Sequence, residues 1–303
     1  MEILMAADNL CRIYKREGRR ETVLSRVSLQ LHTDEMIGIA GLSGSGKSTL
    51  LRLLAQEETA DAGTVSLWPG AGKGRDRYRH IQMVLQDTME AFSPRMTIGD
   101  FLREPLRNFS LIREQAAGQA VREILKETGL PLSVLSRLPH ELSGGQRQRA
   151  VLAGALLVKP EIILFDEPTS AVDMTTQKRM LLLIKRLREQ YHFSGIFVSH
   201  DLAAVQQMSD RILIMDRGRI AERIESGDLR SACHPASRRL LAARLPDEGT
   251  DLPDEPPDGI LCRSSGGRLY LETDPESVEH IQSECREHEI TAGPGHRVLA
   301  YIL

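Results

Sequence analysis

The chain has 303 residues, enough for about two domains and a sizeable buried core. Its 41% hydrophobic, 27% charged and 4% aromatic residues suit a soluble α/β protein and exclude a disordered or fibrous one. Lys and Arg at 39 against Asp and Glu at 42 leave a formal charge of -3, which argues against dominant nucleic-acid binding and leaves room for a local basic patch.

In chain order, residues 1 to 35 carry β-like pieces such as Val27 to Leu31. Met36 to Ala40 reads as a short buried strand, followed by a Gly/Ser-rich turn and by Thr49 to Ala55 at helical spacing. Gly63 to Trp68 is again β-like and predicts a small antiparallel layer with the first segment. The stretch from about Asp87 to Val158 has helical patterns, as in Gln115 to Thr128 and Arg147 to Leu157, with almost no strand signal, and reads as a helical insert. Apolar runs Ile162 to Phe165 and Ile196 to Val198 end at Asp166-Glu167-Pro168 and Ser199-His200-Asp201. Buried strands whose carboxyl ends carry polar residues predict a parallel sheet with a site along one rim. Arg211 to Asp216 and Arg219 to Arg223 read as two strands joined by a tight turn.

After Leu245 the acidic, Pro-rich segment 246–259 reads as a linker. Residues 260–303 then predict a small C-terminal α+β unit: Arg268 to Glu272 alternates like a strand, Pro275 to His288 has helical spacing, and Arg297 to Leu303 is apolar like another strand. Cys11, Cys233, Cys262 and Cys285 form no Cys-x-x-Cys, so neither a disulfide framework nor a zinc knuckle is indicated, and a reducing cytosol fits. The longest apolar stretch, Val151 to Val158, is far short of the ~20 residues of a membrane span, and Met1-Glu2-Ile3 opens no basic, apolar secretion signal. Any membrane process is therefore served as a peripheral subunit.

Gly41-Leu-Ser-Gly-Ser-Gly-Lys-Ser-Thr49 matches G-x-x-x-x-G-K-[ST] between a predicted strand and a predicted helix, the context that motif requires. Gly41, Gly44 and Gly46, with Ser43 and Ser45 between them, let the loop curl so that backbone N–H groups point inward, and the helix opening at Lys47 adds its positive end. Lys47 then reaches the β- and γ-phosphates of a nucleotide, and Ser48 ligates Mg2+. Asp166 is placed to hold Mg2+ through water. Glu167, beside it, is placed to orient and deprotonate an attacking water.

Leu142-Ser-Gly-Gly-Gln-Arg-Gln-Arg149 resembles the signature of ABC-type ATPases. Gly41 to Thr49, Gln86, Leu142 to Gln146, Ile162 to Glu167, Ser170-Ala-Val-Asp173 and His200 follow the order and approximate spacing of that family, over roughly residues 1 to 245. The residues of the signature also have their own reading: Ser143 is a good N-cap, Gly144 and Gly145 allow close backbone approach, and the helix running on from Gln146 offers free N–H groups as a second anion site. The resemblance implies an α/β fold: a P-loop NTPase core of the ABC ATPase kind (1–245) with an antiparallel β subdomain and a helical subdomain at about 87–158, plus the small C-terminal unit. It also implies that loop and signature of two subunits enclose each ATP head to tail. By the same resemblance Tyr14 stacks on adenine, Gln86 touches Mg2+ and the attacking water, His200 holds the γ-phosphate and Glu167, and Asp173 crosses toward the partner's phosphate loop while capping a helix.

Phe92 to Leu106 and His234 to Pro246 resemble segments of the ATPases of peptide, nickel and metallophore importers, whereas Leu42, Ala236, Val172, Met174 and Thr175 depart from that pattern. The implied function is ATP hydrolysis coupled to uptake of peptides, nickel or a metal chelate. The implied partners are integral membrane permease subunits, a second ABC ATPase subunit (a copy or a related chain) and an extracytoplasmic solute-binding protein, at the cytoplasmic face of the cell membrane and without nucleic acid. Cys262 and Cys285 are too few for the iron–sulfur extension of some members, and the C-terminal unit reads as structural or pairing before sensing. A soluble ABC ATPase acting on ribosomes or nucleic acid is the alternative; a small-molecule kinase has no use for Leu142 to Gln146.

Overall fold

The computed structural model describes residues 2–16, 19–72, 74, 76–111, 113–170, 173–232 and 234–242, together with four C-terminal strands at 261–264, 267–270, 286–293 and 296–302. The predicted linker 246–259, Ala171, Val172, Cys233 and Cys285 lie outside the described residues. Strands β1 (Ile3–Arg16) and β2 (Arg19–His32) form an antiparallel hairpin. Strand β3 (Met36–Ala40) leads through the glycine-rich loop into helix α1 (Lys47–Leu54), and β4 (Ala62–Leu67) returns to pair with β1, completing the expected antiparallel layer. A short helix α2 (Arg77–His80) precedes β5 (Ile81–Val84), a strand that the sequence reading did not single out.

The helical insert contains α3 (Ile98–Asn108), α4 (Glu114–Glu127) and α5 (Gly144–Leu157). Thr97 opens α3 by accepting the Asp100 N–H at 3.2 Å, and Ile98, Leu102 and Leu106 recur at helical spacing on its buried face. Strand β6 (Ile162–Asp166), helix α6 (Met174–Tyr191), strand β7 (Ser194–Ser199), helix α7 (Leu202–Met208), strands β8 (Arg211–Asp216) and β9 (Arg219–Glu225) and helix α8 (Pro235–Ala242) follow.

The central strands lie in the order β5-β6-β7-β3-β8-β9, parallel from β5 to β8 and antiparallel at β9. Every residue of β3, β6 and β7 is buried, because alternate side chains enter two different cores. Ile37, Ile39, Ile162, Leu164, Ile196 and Val198 pack with α1 and the antiparallel layer, whereas Met36, Ala40, Ile163, Phe165 and Phe197 pack with the insert, α6 and α7. Apolar runs without polar alternation are the sequence consequence.

The C-terminal strands are β10 (Leu261–Ser264), β11 (Gly267–Tyr270), β12 (Arg286–Gly293) and β13 (His296–Ile302). β13 pairs with β12 and β11, and through Arg297 opposite Arg223 and Val298 opposite Glu222 it continues the main sheet beyond β9. The helical spacing of Pro275 to His288 needs correction at its end: Arg286, Glu287 and His288 are strand, opposite Ile302, Tyr301 and Ala300. Cross-strand pairing with β13 overrides the local helical pattern there. Residues 275–285 lie outside the described ones.

Two expectations follow from this packing. A Cβ on Gly38 of β3 would come within 2.5 Å of Ser209 Oγ and meet Val205 Cγ1 of α7, so Gly38→Val is expected to destabilise the fold by about 1–3 kcal/mol, read by chemical unfolding. At the start of α8, His234 is buried, and its Nδ1 accepts the Ala236 N–H at 3.1 Å, which fixes a neutral tautomer. Burial lowers its pKa below the ordinary 6.5, with Arg239 adding to the effect and Glu222 and Asp216 opposing it. The unfolded chain therefore takes up a proton that the folded chain refuses, and stability falls as pH drops through the unfolded value of about 6.5. His234→Asn keeps an acceptor and removes the titration; it is expected to flatten the stability slope between about pH 7.5 and about pH 5.5.

Candidate nucleotide site

The loop between β3 and α1 is shaped by backbone constraints that glycine alone meets. Gly44 (φ 79°) and Gly46 (φ 98°) are left-handed. A Cβ on Gly46 would lie 2.8 Å from the Val23 carbonyl oxygen and from Leu24 Cδ2, and one on Gly41 would press into the Met215 carbonyl. The neighbours that set these requirements, on β2 and β8, are far away in sequence and carry no motif. Inside the loop, Lys47 is buried, and its Nζ donates to the Gly41 and Leu42 carbonyls at 2.9 Å each. Burial lowers the pKa of its ammonium, while the charges of Glu167 and Asp166 oppose that shift. Ser43 and Gly44 face outward, Ser45 is buried, and Thr49 sits half-buried in the first turn of α1.

Ser48 Oγ donates to Asp166 Oδ1 at 3.0 Å, joining the start of α1 to the end of β6. Burial raises the Asp166 carboxyl pKa, and the Ser48 hydrogen bond opposes it. Hydroxyl and carboxylate oxygens meeting here form the hard-oxygen donor set that suits Mg2+. Glu167 follows with a left-handed backbone (φ 45°) while its N–H is held by the Val198 carbonyl at 3.0 Å. Such a conformation in a non-glycine residue costs of order 1–3 kcal/mol and is characteristic of functional positions. It turns the carboxylate so that Oε2 meets both His200 Nδ1 at 3.0 Å and Gln86 Nε2 at 3.4 Å. Three residues from the ends of β5, β6 and β7 thus converge, with His200 60% exposed and Glu167 15%.

The signature lies elsewhere. Ser143 caps α5 reciprocally: Gln146 N–H donates to Ser143 Oγ at 3.3 Å, and Gln146 Oε1 accepts the Ser143 N–H at 3.0 Å. Asp173 caps α6 by accepting the Thr175 and Thr176 N–H groups at 3.0 Å each and the Thr176 hydroxyl at 2.7 Å. Ser143, Gly144, Gly145 and Asp173 line one cavity of about 720 Å³, and no residue of the 41–49 loop lines it. The structure therefore brings Gln86, Glu167, His200, Ser48, Asp166 and Lys47 together and leaves the signature apart. Tyr14, near the tip of the first hairpin, is half-buried; its hydroxyl donates to Glu58 Oε2 at 2.7 Å, and the Arg12 guanidinium lies over its ring at 4.9 Å. These partners of Tyr14 were not legible in sequence.

Residues 24–170 match the family model described as ABC transporter. The nickel import ATP-binding protein NikE of Brucella suis biovar 1 (strain 1330) is 37% identical over 254 residues, spanning 80% of this chain and 96% of that protein.

The chain belongs to the ABC transporter family.

A NikE of Shigella boydii serotype 4 (strain Sb227) is 38% identical over 235 residues, 75% of this chain and 87% of its own. Among solved structures, the dimeric post-hydrolysis state of the ATP-binding cassette MJ0796 bound to ADP and Pi superposes with a TM-score of 0.67 at 27% identity, covering 74% of this chain and 99% of that one. The cbiO1 subunit of Clostridium perfringens, part of the transporter complex cbiONQ, shares the fold with a TM-score of 0.66 at 21% identity, covering 81% and 97%. The protein is thus an ATP-binding, ATP-hydrolysing subunit of an ABC importer, and its relatives do not favour the ribosomal or nucleic-acid alternative. None of its described helices is long and apolar enough to cross a membrane.

The two loop glycines separate steric from conformational cost. Gly46→Ala is expected to destabilise the fold by about 1–3 kcal/mol and to weaken ATP binding, whereas Gly44→Ala, with nothing within 4 Å, carries only the backbone penalty of about 1 kcal/mol. Chemical unfolding and equilibrium ATP binding on both variants check this.

Proposed function

We propose that this ABC ATPase works as half of a head-to-tail pair in which the 41–49 loop of one subunit and Ser143 to Gln146 of the other enclose each ATP. The observation that carries the reading is that the loop and the signature cap occupy separate surfaces of the chain, with only the loop side carrying Asp166, Glu167, Gln86 and His200. The partner is a copy of this chain or a related ATPase. Gly41, Ser43, Gly44, Ser45, Gly46 and Thr49 give the backbone cradle for the phosphates, Lys47 turns from the loop carbonyls to the β- and γ-oxygens, and Tyr14 stacks on the base.

Ser48, Asp166 and Gln86 are the residues that would hold Mg2+, directly or through water. Bound there, the ion would neutralise charge building up on the phosphate oxygens. Glu167 accepts a proton from water as its oxygen attacks the γ-phosphorus and the bond to ADP breaks. His200 and Gln86, which already meet Glu167 Oε2, hold that carboxylate and the water in line. Asp173 reaches across the pair toward the partner's loop.

ATP enclosed by both subunits stabilises only the closed pair, and hydrolysis releases it. In this reading closure drives permease subunits in the membrane, with this chain on their cytoplasmic face and an extracytoplasmic solute-binding protein delivering the cargo. The identity with nickel import ATP-binding proteins, together with the importer-like segments at Phe92 to Leu106 and His234 to Pro246, supports nickel, a metal chelate or a peptide as that cargo, with nickel first. Glu167→Gln is expected to keep ATP binding, to lower ATPase turnover at least about a hundredfold, and to accumulate an ATP-dependent dimer in size-exclusion chromatography. Near-normal turnover would remove Glu167 from the role of base.

A further inference from the structure

The base end of the nucleotide site holds Tyr14 more tightly than its place near a hairpin tip requires. The first hairpin runs beside the phosphate loop, because a Cβ on Gly46 would come within 2.8 Å of Val23 and Leu24 of β2, and Leu24 pairs in register with Arg12 of β1. Two residues further along β1, the Tyr14 ring lies against the Arg12 guanidinium, whose carbon is 4.9 Å from the ring centroid. Both groups end on one atom. Glu58 Oε2 accepts the Tyr14 hydroxyl at 2.7 Å and meets Arg12 Nη2 at 3.0 Å, so neither group can turn away from the other without leaving that oxygen.

Further contacts fix this clamp. Arg12 Nη1 donates to the Thr59 carbonyl at 2.9 Å, and the Ile13 N–H, between the two side chains in sequence, donates to Asp61 Oδ2 at 2.8 Å. The other oxygen of Glu58 faces Arg52 of α1, Nη1 to Oε1 at 3.9 Å, which joins the clamp to the helix that the phosphate loop opens. The side chains of Arg12 and Glu58 are only 23% and 24% exposed, and a partly desolvated cation over a tyrosine face contributes more than an exposed one. Hairpin closure does not need any of this, since the backbone pairing of β1 with β2 already provides it.

We propose that Arg12 and Glu58 are positioning residues for the nucleobase: Arg12 covers one face of Tyr14, Glu58 fixes the tilt of the ring through its hydroxyl, and the opposite face is presented to the base. The inference rests on the reading of Tyr14 as the stacking residue. A free tyrosine side chain loses rotamer freedom when a base settles on it, whereas a ring already held by its hydroxyl and by a guanidinium has lost that freedom in the folded chain. The ordering cost is then met by folding and not by binding. Arg12 and Glu58 do not touch the nucleotide in this arrangement, so their whole effect passes through the ring and is confined to ligands that carry a base.

The test uses the full chain without Mg2+, so that binding is read without hydrolysis, and titrates ATP and inorganic tripolyphosphate by calorimetry. Tripolyphosphate occupies the phosphate loop but carries no base, and its retention shows that each variant still folds there. Tyr14→Ala is expected to weaken ATP binding at least about tenfold. Arg12→Met, which keeps the apolar stem, and Glu58→Ala are each expected to weaken it about fivefold, with tripolyphosphate unchanged in all three variants. In the Tyr14→Ala background, Arg12→Met is expected to cost nothing further, because a group that acts through the ring has no effect once the ring is gone. ATP affinity unchanged by Tyr14→Ala would remove the stacking reading and the inference with it. A loss in Tyr14→Ala with none in Arg12→Met or in Glu58→Ala would keep the stacking reading and overturn the inference alone. An equal loss of tripolyphosphate in Arg12→Met or Glu58→Ala, or an Arg12→Met effect that survives without the ring, would overturn it in the same way.

Discussion

Burial of both faces of the central sheet is the constraint on which the site depends. β3, β6 and β7 are enclosed on either side by apolar side chains, so polar chemistry has access to these strands only where they stop. Parallel direction puts their carboxyl ends on a common rim, as the register of Ala40 with Ser199 and of Asp166 with Val198 records. Asp166, Glu167 and His200 are neighbours because each is the first or second polar group after its strand runs out of apolar residues, and Lys47 joins them from the first turn of α1. The site follows from strand direction and strand length.

Within that rim the backbone does much of the positioning. Gly41 and Gly46 are fixed by contacts with the carbonyls of Met215 and Val23, and Glu167 is held left-handed by the Val198 carbonyl and by the Ser170 hydroxyl on its own carbonyl at 3.1 Å. Side chains then add charge to a preformed shape. Ser48 bridging to Asp166 ties the loop helix to β6 across 118 residues of sequence. His200 and Gln86 on one oxygen of Glu167 tie β7 and β5 to the same point. Gln86 stands just before the helical insert, so its hydrogen bond of 3.4 Å joins the start of that insert to the carboxylate.

What was readable in sequence follows the same physics. β3, β6 and β7 announce themselves as apolar runs because both faces are buried, and the loop announces itself because left-handed glycines and an N-terminal helix turn leave few alternatives. β5 was not singled out: Gln82 and Met83 are only partly buried at the edge of the sheet, so the segment lacks the continuous apolar signal of its neighbours. The helical pattern that ends at His288 does not decide the structure there, because the partner of Arg286 to His288 is β13, a strand whose claim on them is visible only in three dimensions. The setting of Tyr14, between Arg12 and Glu58, was equally out of reach, since it depends on the loop after α1 folding back to the hairpin.

The separation of the signature from the phosphate loop has an energetic consequence for any paired state. Ser143 and Gln146 satisfy each other's first donors and Asp173 satisfies those of α6, so neither helix start requires a ligand to be stable in a single chain. The glycines at 144 and 145 carry no side chain that would hold a partner by apolar contact, and Arg149 and Arg179 behind them repel each other. An anionic ligand changes that balance by meeting the N–H groups and the positive end of α5 at once. In the paired state proposed above, the nucleotide itself therefore supplies the contact that these helix starts do not need on their own.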